Sequence, residues 1–193
     1  MIRDPDPTRR GVWNTLAKVT IPMSSTQSKG QTGEPLFVRV ADMMAATEEA
    51  GSLMTHALGS SIGLTAYDPI AKVGGLLHYM LGQPREKEIA RANPFMYALS
   101  GVPALFQAVC ELGGEKERLI VCAAGGAEFL DEQEEFSIGK RNHTVLRKLF
   151  WNNGIVLHGE DCGGHAARNM TLDLGTGNVT ISIKGKESLL WPR

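Results

Sequence analysis

The chain has 193 residues, 42% of them apolar, with 20 Lys plus Arg against 21 Asp plus Glu and a formal net charge of -1. That balance excludes the basic footprint of a nucleic-acid binder, and the length suits one domain that buries roughly 70% of its unfolded surface without disulfide or metal staples. No apolar run approaches the roughly 18 residues that span a bilayer, the first thirty residues lack a signal-type apolar segment, and Cys110, Cys122 and Cys162 sit at unrelated spacings, so the expectation is a cytoplasmic protein with reduced thiols and no membrane insertion.

Residues 1-35 read as an N-terminal arm and linker. Val12, Trp13, Leu16, Val19 and Ile21 make a short apolar patch, and the stretch from Pro22 to Pro35 (PMSSTQSKGQTGEP) is too polar to offset the entropy of ordering it. The globular part is expected over 36-186, without internal repeats, and 187-193 as a C-terminal tail. It begins with a strand-like run from Leu36 to Val40.

From Thr55 to Leu81 the chain reads THALGSSIGLTAYDPIAKVGGLLHYML, two runs of apolar and small residues on either side of Asp68-Pro69. No helical period runs through them, so they are expected to form a hairpin. With the turn centred between Pro69 and Ile70, Ser61 falls directly opposite His78. Ile62, Leu64 and Ala66 then share a face with Val73, Gly75 and Leu77, while Ser61, Gly63, Thr65 and Tyr67 share the other with Lys72, Gly74, Leu76 and His78. A slip of one residue would destroy this separation of apolar from mostly polar residues. Directly opposed side chains meet, and a hydroxyl against an imidazole, among glycines that let a substrate backbone approach, has the parts of a nucleophile-base site. The bland reading is an ordinary Ser and His on a solvated sheet face.

Pro94 to Leu112 has helical periodicity but contains Pro103, where a kink or restart is expected. Arg118 to Ala124 reads as a strand. Asn142 to Trp151, with Val145, Leu146, Leu149 and Phe150 at spacings of three and four, reads as a helix stopped by Asn152, Asn153 and Gly154. Ile155 to His158 is a further strand-like run. Met170, Leu172 and Leu174, then Val179, Ile181 and Ile183, alternate with polar residues on either side of Gly175 to Asn178, the pattern of a hairpin with one buried face. The fold class is mixed α/β: a single domain, richer in strand than in helix, whose largely antiparallel sheet carries packed helices.

Several motifs together resemble a known family. Thr55, Leu58-Gly59-Ser60-Ser61, Lys72-Val73-Gly74-Gly75 and His78-Tyr79-Met80-Leu81 are followed, in order, by Ala124-Gly125-Gly126-Ala127, Ile138-Gly139-Lys140-Arg141-Asn142 and Asp161-Cys162-Gly163-Gly164 with Arg168. The set is similar to the chemoreceptor glutamine deamidase family, CheD, from Leu36 to about Lys184. The resemblance implies a single-domain α/β sandwich, hydrolysis of glutamine side-chain amides on methyl-accepting chemotaxis receptors, with release of ammonia, and binding to a CheC-like phosphatase. It also implies a Cys-His-Thr site without cofactor or metal. Carried across, the His is His78, the Thr is Thr55, and Ser61 stands at the position of the nucleophilic Cys. Three accounts of Ser61 follow: a natural change leaving a catalytically silent adaptor, an engineered replacement in an ordinary enzyme, or a working serine nucleophile. None of the three cysteines matches the nucleophile position.

Rival readings use the same residues. Gly59-Ser60-Ser61-Ile62-Gly63 fits the G-x-S-x-G nucleophile elbow, but that motif needs a helix directly after the Ser, and Ile62 to Ala66 has strand character. Cys162 and His165, with His158 and Asp161 nearby, lack the second ligand pair a structural zinc requires. Asp161 to Gly164 reads as a turn with positive-φ glycines, and Arg168 as holding a partner's carboxylate or, on the favoured bland reading, pairing with a local acid. Glu128, Asp131, Glu132, Glu134 and Glu135 read as a solvated acidic loop. Gly125-Gly126 lacks the Gly-Lys-Ser/Thr ending of a phosphate loop.

Overall fold

The computed structural model describes residues 34-84, 93-128 and 137-192. The apolar patch of the arm and the acidic residues Asp131, Glu132, Glu134 and Glu135 lie outside the described residues. Among the described residues, ten strands form two five-stranded sheets. The strands are β1 (Leu36–Phe37), β2 (Asp42–Thr47), β3 (Ser52–Leu58), β4 (Ile62–Asp68), β5 (Val73–Tyr79), β6 (Ile120–Gly125), β7 (Gly159–Cys162), β8 (Arg168–Asp173), β9 (Val179–Ile183) and β10 (Lys186–Trp191). One sheet has the order β1-β3-β8-β9-β10 and the other β2-β5-β4-β6-β7. Among the described strands only the β1-β3 and β6-β7 pairs are parallel. Helices α1 (Ala98–Glu111) and α2 (Ile138–Asn153) pack on the second sheet.

Two apolar layers hold the open sandwich together. Ile62, Leu64, Val73 and Leu77 point from the second sheet into a core shared with Val102, Leu105, Leu146 and Phe150 of the helices. Tyr67, Leu76, Cys122 and Ala124 point the other way and meet Leu58, Met170, Leu172 and Ile181 of the first sheet. Every residue of β4 and β5 is therefore buried. The mostly polar hairpin face, solvated on the bland reading, is the interior between the sheets. Its glycines serve that packing rather than a substrate. A Cβ on Gly63 would lie 2.8 Å from Leu58 Cδ1, and one on Gly74 would lie 3.0 Å from Leu172 and Leu174 side-chain carbons.

The β4-β5 register also differs from the expected one. Gly63, not Ser61, is opposite His78, and the last pair is Asp68 with Val73. The cause is a four-residue turn. The Asp68 carboxylate accepts from the Ile70 and Ala71 N–H groups at 2.8 and 3.1 Å, and Lys72 closes the turn at φ 51°. The shift is two residues, which preserves parity, so Ser61 and His78 keep a common face.

Elsewhere the chain differs in detail. The restart in the first helical segment falls at Tyr97, with extended φ -120° and ψ 140°, and α1 runs through Pro103. Helix α2 starts at Ile138, four residues before the expected Asn142, capped by Ser137, which accepts from Lys140 N–H, and Gly154 stops it at φ 64°. Ile155 to His158 is a connection, and the strand, β7, begins at Gly159. Residues 187-191, read as tail, belong to β10, which pairs with β9 and buries Leu190. No helix among the described residues is long and apolar enough to cross a membrane.

Candidate active site

Strand β3 belongs to the first sheet and β4 to the second, so the chain changes layers between Thr55 and Ile62. A register shift between Thr55 and Leu58 loosens the β3-β8 ladder there. Ala57 takes φ 56°, its N–H donates to Asn169 Oδ1 at 3.1 Å, and Gly59 N–H turns back to Ala57 O at 2.8 Å. Such bulges are how strands turn corners between packed sheets. Thr55 and Ser61 are thereby brought to opposite sides of the gap, with His78 of β5 between them.

The three side chains are in line. Ser61 Oγ is 2.8 Å from His78 Nε2, and Thr55 Oγ1 is 2.8 Å from His78 Nδ1 and 2.8 Å from Val38 O. Their proton positions follow from counting donors. Val38 O can only accept, so the single Thr55 hydroxyl proton goes to it, and Thr55 Oγ1 must accept from an N–H at Nδ1. Burial pushes the His78 imidazole down to about 4, so the ring is neutral near pH 7. Its only proton being on Nδ1, Nε2 presents a lone pair and accepts from the Ser61 hydroxyl. Thr55 and His78 are both 1% exposed and Ser61 is 9% exposed. This tautomer is ready to take a proton from the group at position 61.

Contacts from the end of β6 and from α2 hold the Gly59 to Ser61 segment. Gly126 N–H donates to Ser61 O and Ala127 N–H to Gly59 O, each at 2.8 Å. Gly125 has φ 117°, and a Cβ there would lie 2.3 Å from Ser61 O, so both the conformation and the close approach require glycine. Asn142 of α2, 1% exposed, donates from Nδ2 to Ser60 O at 2.8 Å and to Met80 O at 2.7 Å. It ties the segment before Ser61 to the residues just after His78. No motif assigns Asn142 this role; a polar residue four positions before Leu146 on the buried face of the helix is the signal that finds it.

The other candidates take no part in this hydrogen-bond chain. Ser61 is followed by β4, not by a helix, so the nucleophile-elbow motif is not met. Arg168 donates to Asp161 Oδ1 at 3.0 Å, Gly163 O at 2.6 Å and Ala166 O at 2.9 Å, pairing with a local acid as expected and ordering the turn in which Gly163 and Gly164 take φ 89° and 67°. Cys110 is exposed and Cys122 lies in the core between the sheets. Burial, then Glu160, pushes the Cys162 thiol up to about 12, which leaves it a poor nucleophile.

Comparison with known proteins is consistent across the chain. Residues 80-183 match the family described as CheD chemotactic sensory transduction, a span that begins just beyond His78. A protein of Solibacter usitatus named probable chemoreceptor glutamine deamidase CheD is 44% identical over 160 residues, covering 82% of this chain and 95% of its own. One from Syntrophus aciditrophicus, named probable chemoreceptor glutamine deamidase CheD 1, is 40% identical over 151 residues, or 78% and 94% of the two chains. A Pyrococcus horikoshii protein with the same name as the first is 40% identical over 133 residues, or 68% and 82%. With relatives this similar aligned over nearly their whole length, and with the sandwich and its interlayer site in place, the chain belongs to the CheD family.

Proposed function

We propose that the protein is a chemotaxis amide hydrolase that converts glutamine side chains of methyl-accepting chemoreceptors to glutamate, with Ser61 as nucleophile, His78 as base and Thr55 as the group that orients it. One observation supports these roles: the unbroken hydrogen-bond chain from Ser61 through the neutral His78 to Thr55 and Val38 O. In the reaction the nucleophile at 61 attacks the glutamine carbonyl carbon as its proton passes to His78 Nε2. The tetrahedral oxyanion is held by backbone N–H groups. The C–N bond then breaks, and His78 returns the proton to the departing ammonia. Water, activated by the same nitrogen, hydrolyses the acyl-enzyme and regenerates the hydroxyl. Thr55 keeps Nδ1 protonated throughout.

A second reading has its own support, in the electrostatics of the base. The imidazolium formed on attack faces a neutral Thr55 where a serine hydrolase places a carboxylate, and burial already disfavours its charge. On this reading the chain is a silent adaptor that binds receptors or a CheC-like phosphatase in the cytoplasm through the family surface. Ammonia release from a purified receptor cytoplasmic fragment tests both. Release that His78→Ala abolishes supports the hydrolase. Stable binding of the fragment without release, in this chain and in Ser61→Cys alike, supports the adaptor.

A further inference from the structure

His143 of α2 approaches β7 beside the paired residues Glu160 and Cys162. Glu160 and Cys162 are two apart on a strand, so their side chains share a face. One ligand atom from each of the three, an imidazole nitrogen, a carboxylate oxygen and a thiol sulfur, lies within 4.8 Å of the other two, and all three residues are half-buried. His143 Nε2 contacts Glu160 Oε1, and Arg147 Nη1 donates to the other carboxylate oxygen at 3.0 Å. Pairing with Glu160 accounts for His143 and Arg147, and Cys162, packed against the helix-side core, brings a thiol beside them. His143 is 17 residues from Glu160 in sequence, a separation at which no ligand spacing betrays the cluster.

We propose that His143, Glu160 and Cys162 form a binding site for a thiophilic divalent cation, zinc by its ligand preference. The donor set is of the N, O and S type that zinc takes in tetrahedral geometry, with water at the fourth position. Bonds of 2.0 to 2.3 Å imply ligand separations of about 3.4 Å, so the His143–Glu160 contact opens by about an ångström while the thiol draws in. Cys162 loses its proton to solvent on binding, and thiolate plus carboxylate then balance the two positive charges. Arg147 stays on the second carboxylate oxygen as the outer partner that ligating carboxylates ordinarily have. The site joins α2, which carries Asn142, to β7, which pairs with Gly125 of β6. Occupancy fastens together two of the supports of Ser61.

Cobalt titration of the chelator-stripped full chain, followed by absorption, reads the site without any enzymatic assay. The expected result is one equivalent of Co2+ bound with a near-ultraviolet thiolate charge-transfer band, displaced by Zn2+. Cys162→Ser abolishes the band, His143→Ala weakens binding at least tenfold, and Cys110→Ser leaves both unchanged. Zinc also raises the unfolding temperature of the parent chain but not of His143→Ala, a readout that serves if Cys162→Ser fails to fold. Absence of the band in the parent chain, its survival in Cys162→Ser, its loss in Cys110→Ser, or equal zinc stabilisation of parent and His143→Ala overturns the site.

Discussion

Replacing the Ser61 hydroxyl by a thiol changes only the acidity and nucleophilicity of the attacking atom, so Ser61→Cys isolates the chemistry from the scaffold. A free thiol has a pKa of about 8.5. His78 is held at about 4, so full transfer of the thiol proton to Nε2 costs about 4.5 pKa units, or about 6 kcal/mol. A hydroxyl with the acidity of water, about 15.7, raises that cost to about 16 kcal/mol. The difference is about 10 kcal/mol, and even if only a third of it is expressed in the transition state, about 3 kcal/mol remains, a rate factor above about one hundred. Ser61→Cys is therefore expected to release ammonia from a receptor cytoplasmic fragment at least about a hundredfold faster than the parent chain. Coupled ammonia detection gives the rate, and mass spectrometry of the fragment identifies the converted glutamines. Rates within tenfold of each other, for two proteins with matching unfolding curves, would refute the proton-transfer argument and with it the role assigned to His78.

The remaining predictions concern the groups around this pair. Thr55→Val leaves Val38 O and the His78 Nδ1 proton without their buried partner, at a cost of about 1 to 3 kcal/mol; nitrogen NMR of the His78 ring should show the Nε2-H tautomer gaining population, and an unchanged tautomer would contradict the donor count. For pH, the folded His78 value of about 4 lies below its ordinary 6.5. Between those values the unfolded chain binds a proton that the folded chain refuses, so the contribution is complete above about pH 6.5 and is lost as pH falls to about 4, about 3 kcal/mol in all. Urea unfolding across that window should show this slope in the parent chain and not in His78→Asn. Asn142→Leu strands Ser60 O and Met80 O in the interior and should cost about 2 to 4 kcal/mol, while impairing turnover in the Ser61→Cys background more than fragment binding. Chemical denaturation and a comparison of kcat with KM check it.

Where the sequence was informative, a local pattern coincided with a tertiary constraint. The alternation of Met170, Leu172, Val179 and Ile181 records a sheet with one covered face, and the β8-β9 pair follows it. Parity within the Thr55 to Leu81 segment placed Ser61 and His78 on one face, because any even slip leaves that result intact. The turn itself was not legible: the Asp68 carboxylate, by capping two N–H groups, extends it to four residues. Burial alone would raise the Asp68 carboxyl, but the Arg118 guanidinium and the N–H groups of Glu115, Ala71 and Ile70 outweigh it and hold the group well below the usual carboxylate range. Those partners come from 47 and 50 residues away at Glu115 and Arg118. Strand β2, Asp42–Thr47, contains no Val, Ile or aromatic residue, and it forms because β5 offers an edge. Strand β10 was hidden by its mostly exposed side chains. The site's third member was supplied by family resemblance, since no sequence pattern places Thr55, on another sheet, against His78.

The division of labour between the sheets has a consequence for how the protein fails. Ser61 and His78 ride on one layer, while Thr55 and the Val38 carbonyl, which together dictate where the imidazole keeps its proton, ride on the other. A slide of one layer over the other by a few ångströms would leave every strand intact and every helix formed, yet set the ring free to turn and reprotonate on the wrong nitrogen. Competence at position 61 thus gauges the docking of the two layers, and it should vanish under mild denaturant before any spectroscopic sign of lost secondary structure.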